Sequence, residues 1–161
     1  LPVPSGQYHV FIRSVSVTPS KKGTPMATLD LEILHPASVI EAGNTIKTAG
    51  RTFKHWLSFG TNPRSYRDAE TICRASLPDG LPSPVDANDM PNLVKTLAEG
   101  KAMSAVQLYS EARYKTDAAG NQILDPATGQ PQLLGYNTVL KAPTTAVDVQ
   151  VIGLTAPPVR A

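Results

Sequence analysis

Along the front of the chain, hydrophobic and polar positions alternate with the period of two that half-buried strands require. Within the stretch 6–17, Tyr8, Val10 and Ile12 alternate with His9, Phe11 and Arg13. Residues 26–33 repeat the pattern, with Ala27, Leu29, Leu31 and Ile33 on one face and Thr28, Asp30 and Glu32 on the other. The segment between them, Pro19-Ser20-Lys21-Lys22-Gly23-Thr24-Pro25, is turn chemistry, so the two strands are predicted to form a long hairpin. Residues 35–44 read as a connection. A third strand is predicted over 45–59, bulged or bent at Ala49-Gly50. It places Phe53, His55, Leu57 and Phe59 on one face and Thr52, Lys54, Trp56 and Ser58 on the other.

The pattern then changes. Asn62-Pro63 has the chemistry of a helix start, an N-cap followed by proline at the first helical position, and a helix is predicted over 64–75. Residues 77–91 hold four prolines and read as a loop. A second short helix over 92–99 carries apolar Leu93, Val94 and Leu97, with Gly100 as its stop. Alternation resumes over 101–114, where Val106 and Leu108 interleave with Gln107 and Tyr109, whose face continues to Glu111 and Arg113. Turns at 117–121 and 125–131 lead to a last short strand at 136–141, and 147–151 is a candidate edge strand.

Strand, strand, strand, helix, strand, strand is the succession of an OB-fold. The predicted class is therefore mainly β: a five-stranded Greek-key barrel with a helical insert between strands 3 and 4. Residues 1–143 are assigned to the barrel domain and 144–161 to a C-terminal extension, an edge strand followed by a linker. The fold does not name the ligand, since such barrels bind oligonucleotides, oligosaccharides and proteins.

Composition supports this class. Fifteen prolines in 161 residues exceed the usual ~5%, which favours short strands and long loops over a helical bundle. Cys73 is the one cysteine, which excludes an intrachain disulfide and an all-cysteine metal cluster. No run approaches the ~18 apolar residues of a membrane helix, so no membrane partner is expected, and the start lacks a signal-peptide pattern.

The net charge of +2 conceals a segregation. Residues 1–67 carry eight basic against three acidic groups, 68–99 two against six, and 100–161 five against four. The predicted strand layer is thus basic and the helical insert acidic, an arrangement that offers a positive surface to a polyanion. Binding a single strand without sequence preference needs flat side chains for stacking beside cations that track phosphate. If the aliphatic faces form the core, Trp56 points outward next to Lys54, Tyr109 next to Arg113, and Phe11 next to Arg13. The alternative is that these aromatics seal against the helix, the 36–44 connection or the C-terminal tail. Lys21 and Lys22 sit at a hairpin tip from which they can reach phosphates. Tyr114, Lys115 and Tyr136 flank the other long hairpin.

Enzyme chemistry finds little support. His9, His35 and His55 are single and widely spaced, without a metal-binding helix motif. His55, on the apolar face of the third strand, is expected to be a satisfied interior histidine. Asp30 and Glu32 share a strand face but lack a third acid to complete a Mg²⁺ site, so a solvated face is expected there. Nucleophile and phosphate-loop motifs are absent.

Ser5-Gly6-Gln7-Tyr8, Lys22-Gly23 leading into Leu29-Asp30-Leu31-Glu32-Ile33, and Ala49-Gly50-Arg51 resemble the start of phage-encoded OB-fold single-stranded-DNA-binding proteins. Leu97-Ala98-Glu99-Gly100-Lys101 entering a strand, followed by Tyr136-Asn137-Thr138-Val139, is similar to their second half. The resemblance implies sequence-independent binding and protection of single-stranded DNA in phage replication, recombination or repair, in the cytoplasm of an infected bacterial host. It implies no catalysis, cofactor or metal. Many such proteins end in an acidic tail that contacts replication or recombination proteins, whereas this sequence ends Ala156-Pro157-Pro158-Val159-Arg160-Ala161. Pro-Pro is a natural linker, so such a tail is expected to lie beyond Ala161.

The expected DNA-binding set is Phe11, Trp56 and Tyr109 for stacking, with Arg13, Lys21, Lys22, Lys54, Arg113 and Lys115 for phosphate. Tyr114 and Tyr136 complete it. Two other readings stay open: a β-barrel structural or protein-interaction component of a phage particle, and a nuclease using Asp30 and Glu32.

Overall fold

Alternation becomes structure where one face of a strand is buried. The computed structural model describes residues 1–158; Val159, Arg160 and Ala161, and the tail expected after them, lie outside the described residues. In chain order the strands β1 (Gly6–Val17) and β2 (Met26–His35) form the expected hairpin, followed by β3 (Ser38–Glu41), β4 (Asn44–Lys47) and β5 (Thr52–Ser58). Helices α1 (Pro63–Cys73) and α2 (Met90–Ala98) come next, then β6 (Ala102–Tyr114), β7 (Leu133–Ala142) and the short β8 (Ala146–Val147). The main sheet is antiparallel, in the order β5-β2-β1-β6-β7, with β8 also paired to β6.

The ladder does not close into the expected barrel. β5 and β7 remain its two edges, unpaired with each other although their Cα atoms come within 8 Å. Where β7 nears β5, α1 contributes a crossing bond: Arg64 Nη2 donates to Lys141 O at 3.0 Å. The structure is therefore mainly β, an open antiparallel sheet carrying two helices.

Two local expectations are corrected. The segment assigned to a connection and the start of strand 3 is a separate hairpin, β3 with β4, closed by Ala42 and Gly43 at φ 50° and 80°. Positive φ at both central residues is the geometry of a tight two-residue hairpin turn. Sequence 45–59 is consequently two strands in two sheets. The C-terminal edge strand is limited to Ala146–Val147, and a 3-10 turn over Val149–Ile152 replaces the rest.

Tyr8, Val10 and Ile12 of β1 meet Ala27, Leu29, Leu31 and Ile33 of β2 in the core, each at most 2% exposed. Burying an aliphatic side chain of this kind is worth about 1.5–3 kcal/mol. Between Ile12 and Ser14 the register shifts, so the inward phase resumes at Val15 and Arg13 is the additional residue. Such a bulge re-aims a side chain without ending the strand. On the core face lie Ala69, Ile72 and Cys73 of α1 with Met90, Val94 and Ala98 of α2. Asn62 caps α1 by accepting from Arg64 N at 3.0 Å, with Pro63 in the first turn. Glu99 ties the end of α2 to β1, its Oε2 accepting from Val15 N and Lys95 Nζ, each at 2.8 Å. Lys95 and the Val15 amide hold that carboxyl below the ordinary glutamate range.

Candidate functional site

The unpaired edges of β5 and β7 face each other across a groove. Two adjoining clefts of about 770 and 540 Å³ lie along it and share His55, Trp56, Val139 and Leu140. A third, of about 410 Å³, continues from the second through Arg51 and Tyr136. One open channel thus runs from Arg51 and Tyr136, past Lys54 and Trp56, to Arg64 and Lys141.

Strand geometry sets the display. On β5, Phe53 and Leu57 are buried at 8% and 1% exposure, which turns Lys54 and Trp56 outward. Trp56 lies opposite Thr28 and Lys54 opposite Asp30 in the β2–β5 register. Trp56 is 57% exposed and Tyr136, across the groove, 49%. Tyr109, opposite Val139 in the β6–β7 register, is half-buried and lines the larger cleft with Gln107.

The charges in the groove nearly balance. Arg51, Lys54, Arg64 and Lys141 face Asp30, Asp68 and Glu111. Arg64 Nε lies 4.0 Å from Asp68 and Arg51 Nη1 donates to Leu1 O at 2.6 Å, so both guanidinium groups already have acceptors. The cation excess at the groove is small, and the Lys21–Lys22 tip lies outside its lining. That exposed tip belongs to the β1–β2 turn, next to the Ser58 end of β5, where Phe59 N donates to Pro25 O at 2.8 Å.

Of the expected set, Lys54, Trp56, Tyr109 and Tyr136 are brought together at the groove. Arg113, Tyr114 and Lys115 are exposed at the distal end of β6, away from the groove lining. Phe11 is half-buried on β1, paired with Glu32 on one side and Ala102 on the other. Arg13 is turned to Glu32, with Nη1 3.7 Å from Oε1 and its side chain 24% exposed. Glu32 is buried, so it does not lie on the solvated face expected for it. Among the described residues, no three histidine, cysteine or acidic side chains gather as metal ligands.

Arg51, Arg64 and Lys141 are groove residues the sequence reading did not select. Arg51 and Arg64 counted toward the basic front half, but only the approach of β7 and the start of α1 to β5 puts them on one surface. His55 also departs from expectation. It lines both clefts, yet among the described residues Nε2 has no hydrogen-bond partner. Burial lowers its pKa, with Asp68 opposing that shift and Arg64 adding to it.

No helix among the described residues is long and apolar enough to cross a membrane. Comparison with curated proteins finds no match. A family model described as "Protein of unknown function (DUF669)" matches residues 2–142, and the chain belongs to that family.

Proposed function

We propose that this DUF669 member binds single-stranded DNA without sequence preference along the β5–β7 groove, and that its sheet is an OB-type barrel left open at that seam. The observation that carries the reading is Trp56: more than half exposed, beside Lys54, at the point the two main clefts share. A large aromatic held outward in a groove with cations along both edges has the components for base stacking and phosphate contact. The strand order β5-β2-β1-β6-β7, with both helices between β5 and β6, supports the OB reading, because pairing β5 to β7 would complete such a barrel.

On this reading the bases lie on Trp56 and Tyr136, with Tyr109 at the floor of the larger cleft. Lys54, Arg51, Arg64, Lys141 and the Lys21–Lys22 tip face the phosphates. Phe11 and Arg13 lie outside the path, since neither lines the groove. The resemblance to phage single-stranded-DNA-binding proteins suggests the role, protection of exposed strands in phage replication, recombination or repair within the infected host. No step of that role requires chemistry from the protein.

Trp56 is the one tryptophan, so its fluorescence reports on the groove directly. Titration with oligo-dT at low salt is expected to quench it saturably. An unchanged spectrum across the titration would overturn the reading.

A further inference from the structure

The proline-rich loop before α2 and the outer side of α2 enclose a slot of about 380 Å³. Pro82, Pro84 and Val85 line it from the loop, Leu93 and Thr96 from the helix, and Met90 is buried beneath at 2% exposure. Asp89, Leu93 and Thr96 fall at i, i+4 and i+7, one stripe of a helix ~10 Å long. The lining is mostly apolar. Val85 and Leu93 are half-buried and packed on the core cluster, so the slot is backed by the core. The prolines opposite have fixed φ and no N–H to satisfy, which suits a preformed apolar wall. Its size is at the small end of ligand clefts, roughly 300–1,000 Å³, and fits a few anchoring side chains.

The charge beside this slot has one sign. Asp86 and Asp89 line it, and no lysine, arginine or histidine does among the described residues. The basic residues of 68–99 are engaged elsewhere: Arg74 Nη2 lies 3.9 Å from Glu70 and Lys95 Nζ 2.8 Å from Glu99. Among the described residues neither Asp86 nor Asp89 has an ion pair. Asp86 Oδ1 accepts from Asn88 N at 2.9 Å, which holds the carboxylate in place without neutralising it.

The geometry points to a docking slot for a basic peptide segment of a partner protein. A large apolar side chain of that segment seats between Val85, Met90 and Leu93, and a neighbouring arginine or lysine reaches Asp86 and Asp89. Charge complementarity selects this occupant. Two uncompensated carboxylates repel a phosphate backbone, so the slot does not suit nucleic acid. Two copies meeting slot to slot about a two-fold axis would set the same carboxylates against each other. A cationic segment meets neither objection: the apolar anchor supplies affinity, and the charges supply register and discrimination. The proposal does not depend on what the β5–β7 groove binds, because the two share no lining residue.

The test is selection of binders to the full chain from a random-sequence peptide library, followed by titration of the synthesised peptides. The selected peptides are expected to carry arginine or lysine beside a large apolar residue and to bind with a Kd of about 1–100 µM. Their binding should move the backbone amide resonances of residues 82–96. Asp86→Asn/Asp89→Asn removes both charges while keeping an oxygen to accept the Asn88 N–H, and should raise Kd by at least ~10-fold. Thr96→Arg brings a cation and a long side chain into the slot from α2, and should weaken binding as much. All three positions are exposed, so both variants are expected to keep the wild-type circular dichroism and Tm. Should the asparagine pair disturb the start of α2, Thr96→Arg carries the test. A library that yields no binder at residues 82–96, binders without a basic residue, or binders that a folded variant fails to weaken overturns the proposal. Affinity for oligo-dT is expected to be equal in the wild type and both variants, which separates this result from the fate of the DNA reading.

Discussion

Trp56→Ala is the perturbation whose consequences separate binding from folding most clearly. The indole is 57% exposed and lies opposite Thr28 at the outer face of β5, outside the core cluster. Its removal therefore creates no cavity, and the expected loss of stability is that of a strand-surface position, about 1 kcal/mol or less. Binding should respond differently. One base stacked on an aromatic contributes about 1–3 kcal/mol, which corresponds to a ~5- to ~150-fold rise in Kd. The variant has no tryptophan, so the assay is anisotropy of a labelled oligo-dT at fixed low salt, with thermal denaturation run in parallel. Trp56→Phe keeps a flat face and is expected to recover the larger part of the affinity. A folded Trp56→Ala protein that binds within about twofold of wild type would refute the stacking assignment.

The remaining predictions concern charge, pH and the core. Lys54→Ala should flatten the slope of log affinity against log salt by ~0.7, one phosphate contact on a single strand, as measured by anisotropy across a salt series. Burial pushes the Cys73 thiol up to about 11, so the folded protein should be nearly inert to a thiol reagent near pH 8 and react once unfolded. The depressed pKa of His55 means the folded state takes up its proton less readily than the unfolded chain. Its contribution is full above about pH 6.5 and is lost as pH falls through the lower folded value, so Tm should drop on acidification and His55→Gln should lessen that drop. Leu31→Ala empties a fully buried core position and should cost about 2–5 kcal/mol in denaturant unfolding.

What could be read from the sequence follows from what one face of each element touches. β1, β2 and β5 alternate because their inner faces are buried, and the N-cap and proline of α1 act locally, so all four were legible. The β3–β4 hairpin was not, because Ile46 is its one buried residue and its turn is Ala42-Gly43 rather than an asparagine–glycine pair. The bulge at Arg13 was hidden for a related reason: up to Ile12 the alternation is regular, and only the pairing with Asp30 and Leu31 exposes the added residue. At the groove, the outward direction of Lys54 and Trp56 followed from the period of β5. The partners they face did not, since Arg64 and Lys141 are 77 positions apart and meet through a helix start and an edge strand. Arg13 illustrates the limit of a charge census, because counting it as free required not knowing that Glu32 is buried beside it.

A groove built for single strands discriminates against duplex DNA. The most direct test is an electrophoretic shift of equal-length single- and double-stranded oligonucleotides at two salt concentrations. The expected result is a shift of the single strand at low salt, weakened at higher salt, with little shift of the duplex. Equal retardation of both forms, or no retardation of the single strand at low salt, would contradict it.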